Sequence, residues 1–236
     1  MEVVCITSII DMLRVEKKYL QSYVEANKLS TVIRQVLPGD LHSGVDGYNV
    51  RSLYFDTTNC DDYFDKENGL ENRRKIRLRI YPPNFDNIKL EMKEKNGVSQ
   101  RKRTLSLTRV DAEMLIRCDY SVLLRQNSDF AIELYLLMTR EIYRPQCLIE
   151  YKRQAFFVAQ NDTRVTFDQR IRASEGIYDL FVHDPSIYPI LPEGQVIVEV
   201  KYNHFLVSYV KDALKTLNTM ETSASKYCIA RQFIRY

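Results

Sequence analysis

The sequence predicts an α+β fold: a closed antiparallel β-barrel with helices packed on its outside and charged side chains lining its interior. Three segments carry this reading. Lys89, Glu91 and Lys93 share one face of a strand whose other face is Ile88, Leu90 and Met92. Side chains alternate across a strand, so the same division holds for Arg77 and Arg79 against Ile76, Leu78 and Ile80. It holds again for Glu199 and Lys201 against Val198 and Val200. One such strand is an ordinary amphipathic edge, but a set of them with opposite charges paired on one face describes a sheet whose apolar side packs outward. An interior of that kind suits an anionic, metal-bound ligand.

The 236 residues suffice for a full core and are read as one domain spanning 1–236. Lys and Arg total 34 against 31 Asp and Glu, and the formal charge of +3 gives no global field towards nucleic acid or a membrane. Any basic site is therefore a local concentration. Cys5, Cys60, Cys118, Cys147 and Cys228 form an odd set without C-x-x-C spacing, which argues against a disulfide framework or a structural zinc and for a reducing cytoplasm. Val3 to Ile10 lacks the features of a secretory leader, and no segment approaches the roughly 20 apolar residues of a membrane span. The expectation is a soluble cytoplasmic chain.

Leu13 to Leu20 reads as the first strand, with Arg14, Glu16 and Lys18 on one face. Leu29, Val32, Ile33 and Val36 then recur at helical spacing in Ser22 to Val36, and Pro38-Gly39 stops the helix. Val50 to Phe55 is a β-branched and aromatic strand, followed by a polar turn and a short acidic helix to Lys66. Arg74 to Tyr81, Ile88 to Lys95 and Gln100 to Leu107 form a meander, with Asn96-Gly97 as its second turn. Thr108 and Asp111 make a capping box for a helix bearing Ala112, Leu115, Ile116 and Leu123. A second helix, Ser128 to Tyr143, is apolar nearly all round and is expected to be buried. Cys147 to Ala159 and Arg164 to Arg172 read as a hairpin across Asn161-Asp162, Asp179 to Gly194 as a loop and Gln195 to Tyr202 as a strand. Val207 to Leu217 reads as the last helix.

Several chemistries are absent from the sequence. There is no phosphate-cradling glycine loop, no H-E-x-x-H spacing among His42, His183 and His204, and no visible serine or cysteine nucleophile with its base. The inward charges remain. Burying ammonium and guanidinium groups together costs several kcal/mol each unless water, acidic neighbours or an anion neutralises them. A solvated sheet with cross-strand salt bridges gives the same pattern for any single strand, but the repetition favours a phosphate chain. Arg offers a fork for phosphate oxygens and Lys a point charge, while Glu16, Glu91 and Glu199 offer hard oxygen ligands for Mg²⁺ or Mn²⁺.

The runs Arg14–Tyr19, Ser52–Thr57, Arg77–Tyr81, Leu90–Lys93, Tyr151–Phe156, Arg164–Asp168, Val198–Lys201 and Ser225–Tyr227, in this order, carry a family resemblance. Together they resemble the polyphosphate polymerase domain of the vacuolar transporter chaperone (VTC) complex and its stand-alone bacterial relatives. That family belongs to the triphosphate tunnel metalloenzymes, so the resemblance implies an eight-stranded tunnel lined by Arg, Lys and Glu. It implies that Lys18, Arg77, Arg79, Lys93, Arg153, Arg164 and Lys226 grip ATP and the polyphosphate product. Arg77, Arg79, Lys93, Arg153 and Lys226 would be the catalytic set, while Arg14, Lys102 and Lys201 join the phosphate-binding one. Glu199 would hold the divalent metal, Mn²⁺ or Mg²⁺, with Glu91 and Glu16 beside it. The implied reaction transfers the γ-phosphoryl of ATP to the growing chain without a protein nucleophile.

This sequence departs from the family pattern in three places. Parity puts either Lys102 or the pair Arg101 and Arg103 inside, and the apolar Leu105 and Leu107 favour Lys102. Ser223 stands where yeast-type sequences carry a lysine, and the helix near Val207 lacks a proline-led start. Neither the phosphate-sensing SPX domain nor the membrane helices of the eukaryotic complex are expected within these residues, so the resemblance does not imply transport coupled to synthesis. A metal-dependent tunnel triphosphatase and a non-catalytic polyphosphate- or nucleotide-binding module are the competing functions.

Overall fold

The computed structural model describes residues 14–40, 43–44, 46–97, 99–215 and 220–235. Cys5, Leu13, His42, Leu217 and the segment Val3 to Ile10 lie outside the described residues, as does the Arg14 side chain. The long strands are β1 (Arg14–Ser22), β2 (Tyr48–Asp56), β3 (Arg73–Tyr81), β4 (Asn84–Asn96), β5 (Ser99–Leu107), β6 (Arg144–Val158) and β7 (Thr163–Ser174). After a two-residue strand β8 (Tyr188–Pro189) comes the last long one, β9 (Gln195–Asn203). All pairs are antiparallel, in the order β1-β9-β7-β6-β2-β3-β4-β5, with β8 lying beside β7. The short β8 falls inside the segment expected to be a loop.

Among the described residues six α-helices complete the fold: α1 (Tyr23–Val36), α2 (Asp61–Glu67), α3 (Arg109–Ile116), α4 (Asp129–Arg140), α5 (Ser208–Leu214) and α6 (Lys226–Arg235). Local signals explain their starts. Ser22 accepts a hydrogen bond from the Glu25 amide, and the Thr108 hydroxyl accepts from the Asp111 amide while donating to the Asp111 carboxylate. Leu123 is not part of α3; it lies in a separate 3-10 turn, Tyr120–Arg125. α4 is amphipathic rather than buried all round, since Ile132 is 45% and Leu136 60% exposed while Phe130, Ala131, Leu134 and Met138 face the core. Apolar composition misled here because the outward positions are apolar as well.

Strand parity sorts the molecule into two sides. Ile76, Leu78, Ile80, Ile88, Leu90, Met92 and Leu105 pack outward on α3, the 3-10 turn and α4. Val165, Phe167, Val196, Val198 and Val200 pack on α1 and α5. Arg103 shares this outer side, with its guanidinium held by Glu133 and Glu94 over the Phe130 ring. Lys102 therefore faces the charged side.

Two features correct the expected barrel. First, the pairing does not close: β1 and β5 are the two ends of the sheet. The outer edge of β1 is instead met by the segment before α6, where Tyr19 bridges Glu221 and the Thr222 amide donates to the Lys18 carbonyl at 2.8 Å. The sheet still curls far enough for Lys93 on β4 to reach Glu16 on β1 at 2.7 Å. Second, the helices are not all outside. α6 packs against Val50, Tyr54, Cys147, Ile149, Tyr151 and Ile197, residues that share the parity of Arg77 and Asp168. One end of the charged side is thus apolar, and α6 covers it. Among the described residues no helix is long and apolar enough to cross a membrane.

Leu90 is fully buried between β4 and the outer helices. Leu90→Ala is expected to destabilise the protein by about 2–5 kcal/mol in guanidinium unfolding. A change within about 0.5 kcal/mol, the surface value, would contradict the outward packing.

Candidate functional site

The concave side holds two groups of charge. Glu91 centres the first. The Arg77 Nε and Nη2 atoms both reach Glu91 Oε2 at 2.7 Å, Arg79 approaches at 3.6 Å and the Lys102 ammonium contacts the other oxygen. Arg77 also donates to the Tyr54 hydroxyl at 2.9 Å. Burial works to raise the Glu91 pKa, but Arg77, Arg79 and Lys102 pull it well below the usual carboxylate range. Burial, with Arg77 and Arg79 adding to it, lowers Lys102 to about 8 against the pull of Glu91.

Asp168, Glu199 and Glu16 form the second group. Asp168 is fully buried and receives both arms of the Arg153 fork, at 2.6 and 2.7 Å, together with Lys226 at 2.5 Å. Burial opposes the charge, but Arg153 and Lys226 hold this carboxyl at about 2. Glu199 binds Lys201 at 2.9 Å and lies 3.8 Å from Arg153. Glu16 meets Lys18 at 2.9 Å, Lys93 at 2.7 Å and Lys201 at 3.8 Å. Burial and neighbouring Glu199 push Glu16 up, yet Lys201, Lys18 and Lys93 leave it below its ordinary value.

The two groups are joined through Tyr151. Its hydroxyl accepts from Arg79 at 3.4 Å, while Arg153 and Lys226 lie over its ring at 5.2 and 4.7 Å. The approach of the chain to β2 also depends on Gly47, where a Cβ would sit 2.3 Å from the Arg153 carbonyl oxygen. Arg164 stands apart, bound to Asp40 at 2.6 Å and to the Tyr48 hydroxyl at 3.1 Å. Lys89 lies opposite Arg79 with no ion pair among the described residues, and Ser223 is exposed.

The three carboxylates Glu16, Glu91 and Glu199 do not assemble into one metal set. Among the described residues no three His, Cys, Asp or Glu side chains gather to hold an ion, because Arg77, Arg79 and Lys102 engage Glu91. Glu16 and Glu199 share the Lys201 ammonium, at 3.8 and 2.9 Å, and two hard oxygen donors placed this way fit a divalent ion that takes its other ligands from phosphate and water. Asp168, Tyr54 and Tyr151 carry no site role in the sequence reading, although parity alone puts Asp168 on the same side as Arg164.

The family model described as the VTC domain matches residues 13–235. No curated protein sequence gives a significant match. Among solved structures, a candidate adenylate cyclase from Bacillus halodurans aligns with TM-score 0.52 and 13% identity, over 91% of this chain and 95% of its own. One from Vibrio parahaemolyticus gives 0.52 and 11%, over 96% and 100%. The Hippeastrum protein HpAC1, described by a dominant triphosphatase activity, gives 0.53 and 13%, over 94% and 96%. At these identities the likeness is one of fold.

Asp168 supplies a test of the second group. Its folded pKa lies below the ordinary carboxylate value, so its contribution to stability is full above about pH 4 and is lost as pH falls towards 2. Asp168→Asn leaves Arg153 and Lys226 facing a neutral amide and is expected to cost about 3–5 kcal/mol at pH 7. Urea unfolding from pH 7 to 2 should show the difference between the two proteins shrinking with acid; a constant difference would refute the pairing.

Proposed function

The chain belongs to the VTC-domain family, and from that premise we propose that it is an ATP-dependent polyphosphate polymerase whose concave side is the phosphate-binding tunnel. The charge imbalance on that side carries the reading. Lys18, Arg77, Arg79, Lys93, Lys102, Arg153, Lys201 and Lys226 outnumber their carboxylate partners Glu16, Glu91, Asp168 and Glu199. A surplus of desolvated cations is stabilised by a polyanion, and a row of phosphates is such a ligand.

In this reading a terminal oxygen of the polyphosphate chain attacks the γ-phosphorus of ATP. A new P–O bond forms as the bond to the β-phosphate oxygen breaks, and ADP leaves. Arg77 and Arg79 donate to the equatorial oxygens as charge spreads over them, while Arg153, Lys93 and Lys226 hold the chain in line. Glu199 and Glu16 are the residues to hold Mn²⁺ or Mg²⁺. When bound, such an ion would supply neutralisation of phosphate charge. The same lining serves hydrolysis if water replaces the acceptor chain, and the triphosphatase activity of the Hippeastrum protein that shares this fold favours that second reading.

Purified protein incubated with ATP and Mn²⁺ is expected to yield polyphosphate and ADP. The Arg77→Ala, Arg79→Ala double variant should lose about a hundredfold or more in rate, the size expected for removing charge-stabilising donors. ADP and free phosphate without chain would select the triphosphatase, and wild-type turnover in the double variant would overturn both readings.

A further inference from the structure

We propose that Lys75 is an additional phosphate-binding residue, seating the phosphate that reaches furthest towards α6. The proposal rests on the phosphate-binding reading of the concave side and adds a contact at its covered end. Lys75 lies on β3 with the parity of Arg77 and Arg79. Its register partner on β4 is Lys93, and like charges placed directly opposite each other are destabilising. Lys93 is neutralised by Glu16. Lys75 has no carboxylate at ion-pair distance among the described residues; its ammonium donates to the Ser225 hydroxyl and lies 3.9 Å from the Cys228 sulfur and 6.0 Å from the centre of the Tyr227 ring.

None of those neighbours supplies a full negative charge. Burial pushes the Cys228 thiol up and keeps it neutral, and Ser225 is already used by the Cys228 amide at 3.4 Å. The Tyr54 phenol is pulled towards ionisation, but it already accepts from Arg77. Lys18 and Lys66 add further repulsion, and burial lowers the Lys75 pKa. The same burial bears on Lys102 and Lys93, but each of those touches a glutamate. Lys75 is therefore a desolvated cation without a countercharge, next to a row of cations that share theirs. An incoming phosphate oxygen supplies what is missing, and the flexible stem lets the ammonium swing from Ser225 to meet it.

Three proteins decide the matter: wild type, Lys75→Met and Lys75→Arg, each titrated calorimetrically with inorganic tripolyphosphate and melted with and without it. Lys75→Met should bind about tenfold more weakly, as expected for one charge-assisted hydrogen bond, and Lys75→Arg should recover most of the loss. Without tripolyphosphate, Lys75→Met should melt no lower than wild type, because an unpaired charge has been replaced by an apolar group of similar length. Its tripolyphosphate-induced rise in Tm should be the smaller one. Undiminished affinity in Lys75→Met, with wild type binding normally, overturns the role of Lys75 and leaves the wider reading intact. A lower Tm in Lys75→Met together with weak binding that arginine does not restore also overturns it, in favour of a packing role. Failure of the wild type to bind tripolyphosphate overturns the reading beneath it.

Discussion

The constraint on which this architecture depends is the neutralisation of positive charge in a place where water is scarce. Four carboxylates of the concave side each serve more than one cation: Glu91 serves Arg77, Arg79 and Lys102, Asp168 serves Arg153 and Lys226, Glu16 serves Lys18 and Lys93, and Glu199 serves Lys201 and Arg153. Sharing of this kind fixes where the strands stand relative to one another. The cations come from β1, β3, β4, β5, β6, β9 and α6, so one network ties nearly the whole sheet together from within. The apolar clusters beneath the outer helices then set the curl that brings those strands round.

Much of this was legible because a strand has a period of two. Alternation placed Arg77, Arg79, Glu91, Glu199 and Lys201 on one side before any contact was known, and Leu105 and Leu107 pointed Lys102 inward through Glu91 rather than outward with Arg103. Turn chemistry located the hairpins equally well. Asn161 and Asp162 both take positive φ between β6 and β7, and Gly97 does so between β4 and β5.

What stayed hidden has a common physical origin. α6 has no proline or glycine to announce it, and its buried residues Tyr227, Cys228 and Ala230 face the inside of the sheet, where the sequence suggested only charge. Parity cannot reveal that one end of a charged face is apolar until the strands are laid side by side. Asp168 is silent in the sequence for a related reason, since an acid among basic residues gains a purpose only when Arg153 and Lys226 converge on it. Ring closure was overestimated because counting strands says nothing about which segment pairs with the edge of β1, and the answer is the short stretch at Glu221 and Thr222.

The meeting of Lys93 and Glu16 has a bearing on how the two flanks of the curled sheet are held together. A continuous ladder of peptide hydrogen bonds makes a pipe, open only at its mouths, and its bore is nearly independent of the solution around it. A flank fastened by ammonium and carboxylate is a clasp. Its grip weakens as salt screens the two charges, so the width of the concave side answers to the solution around it.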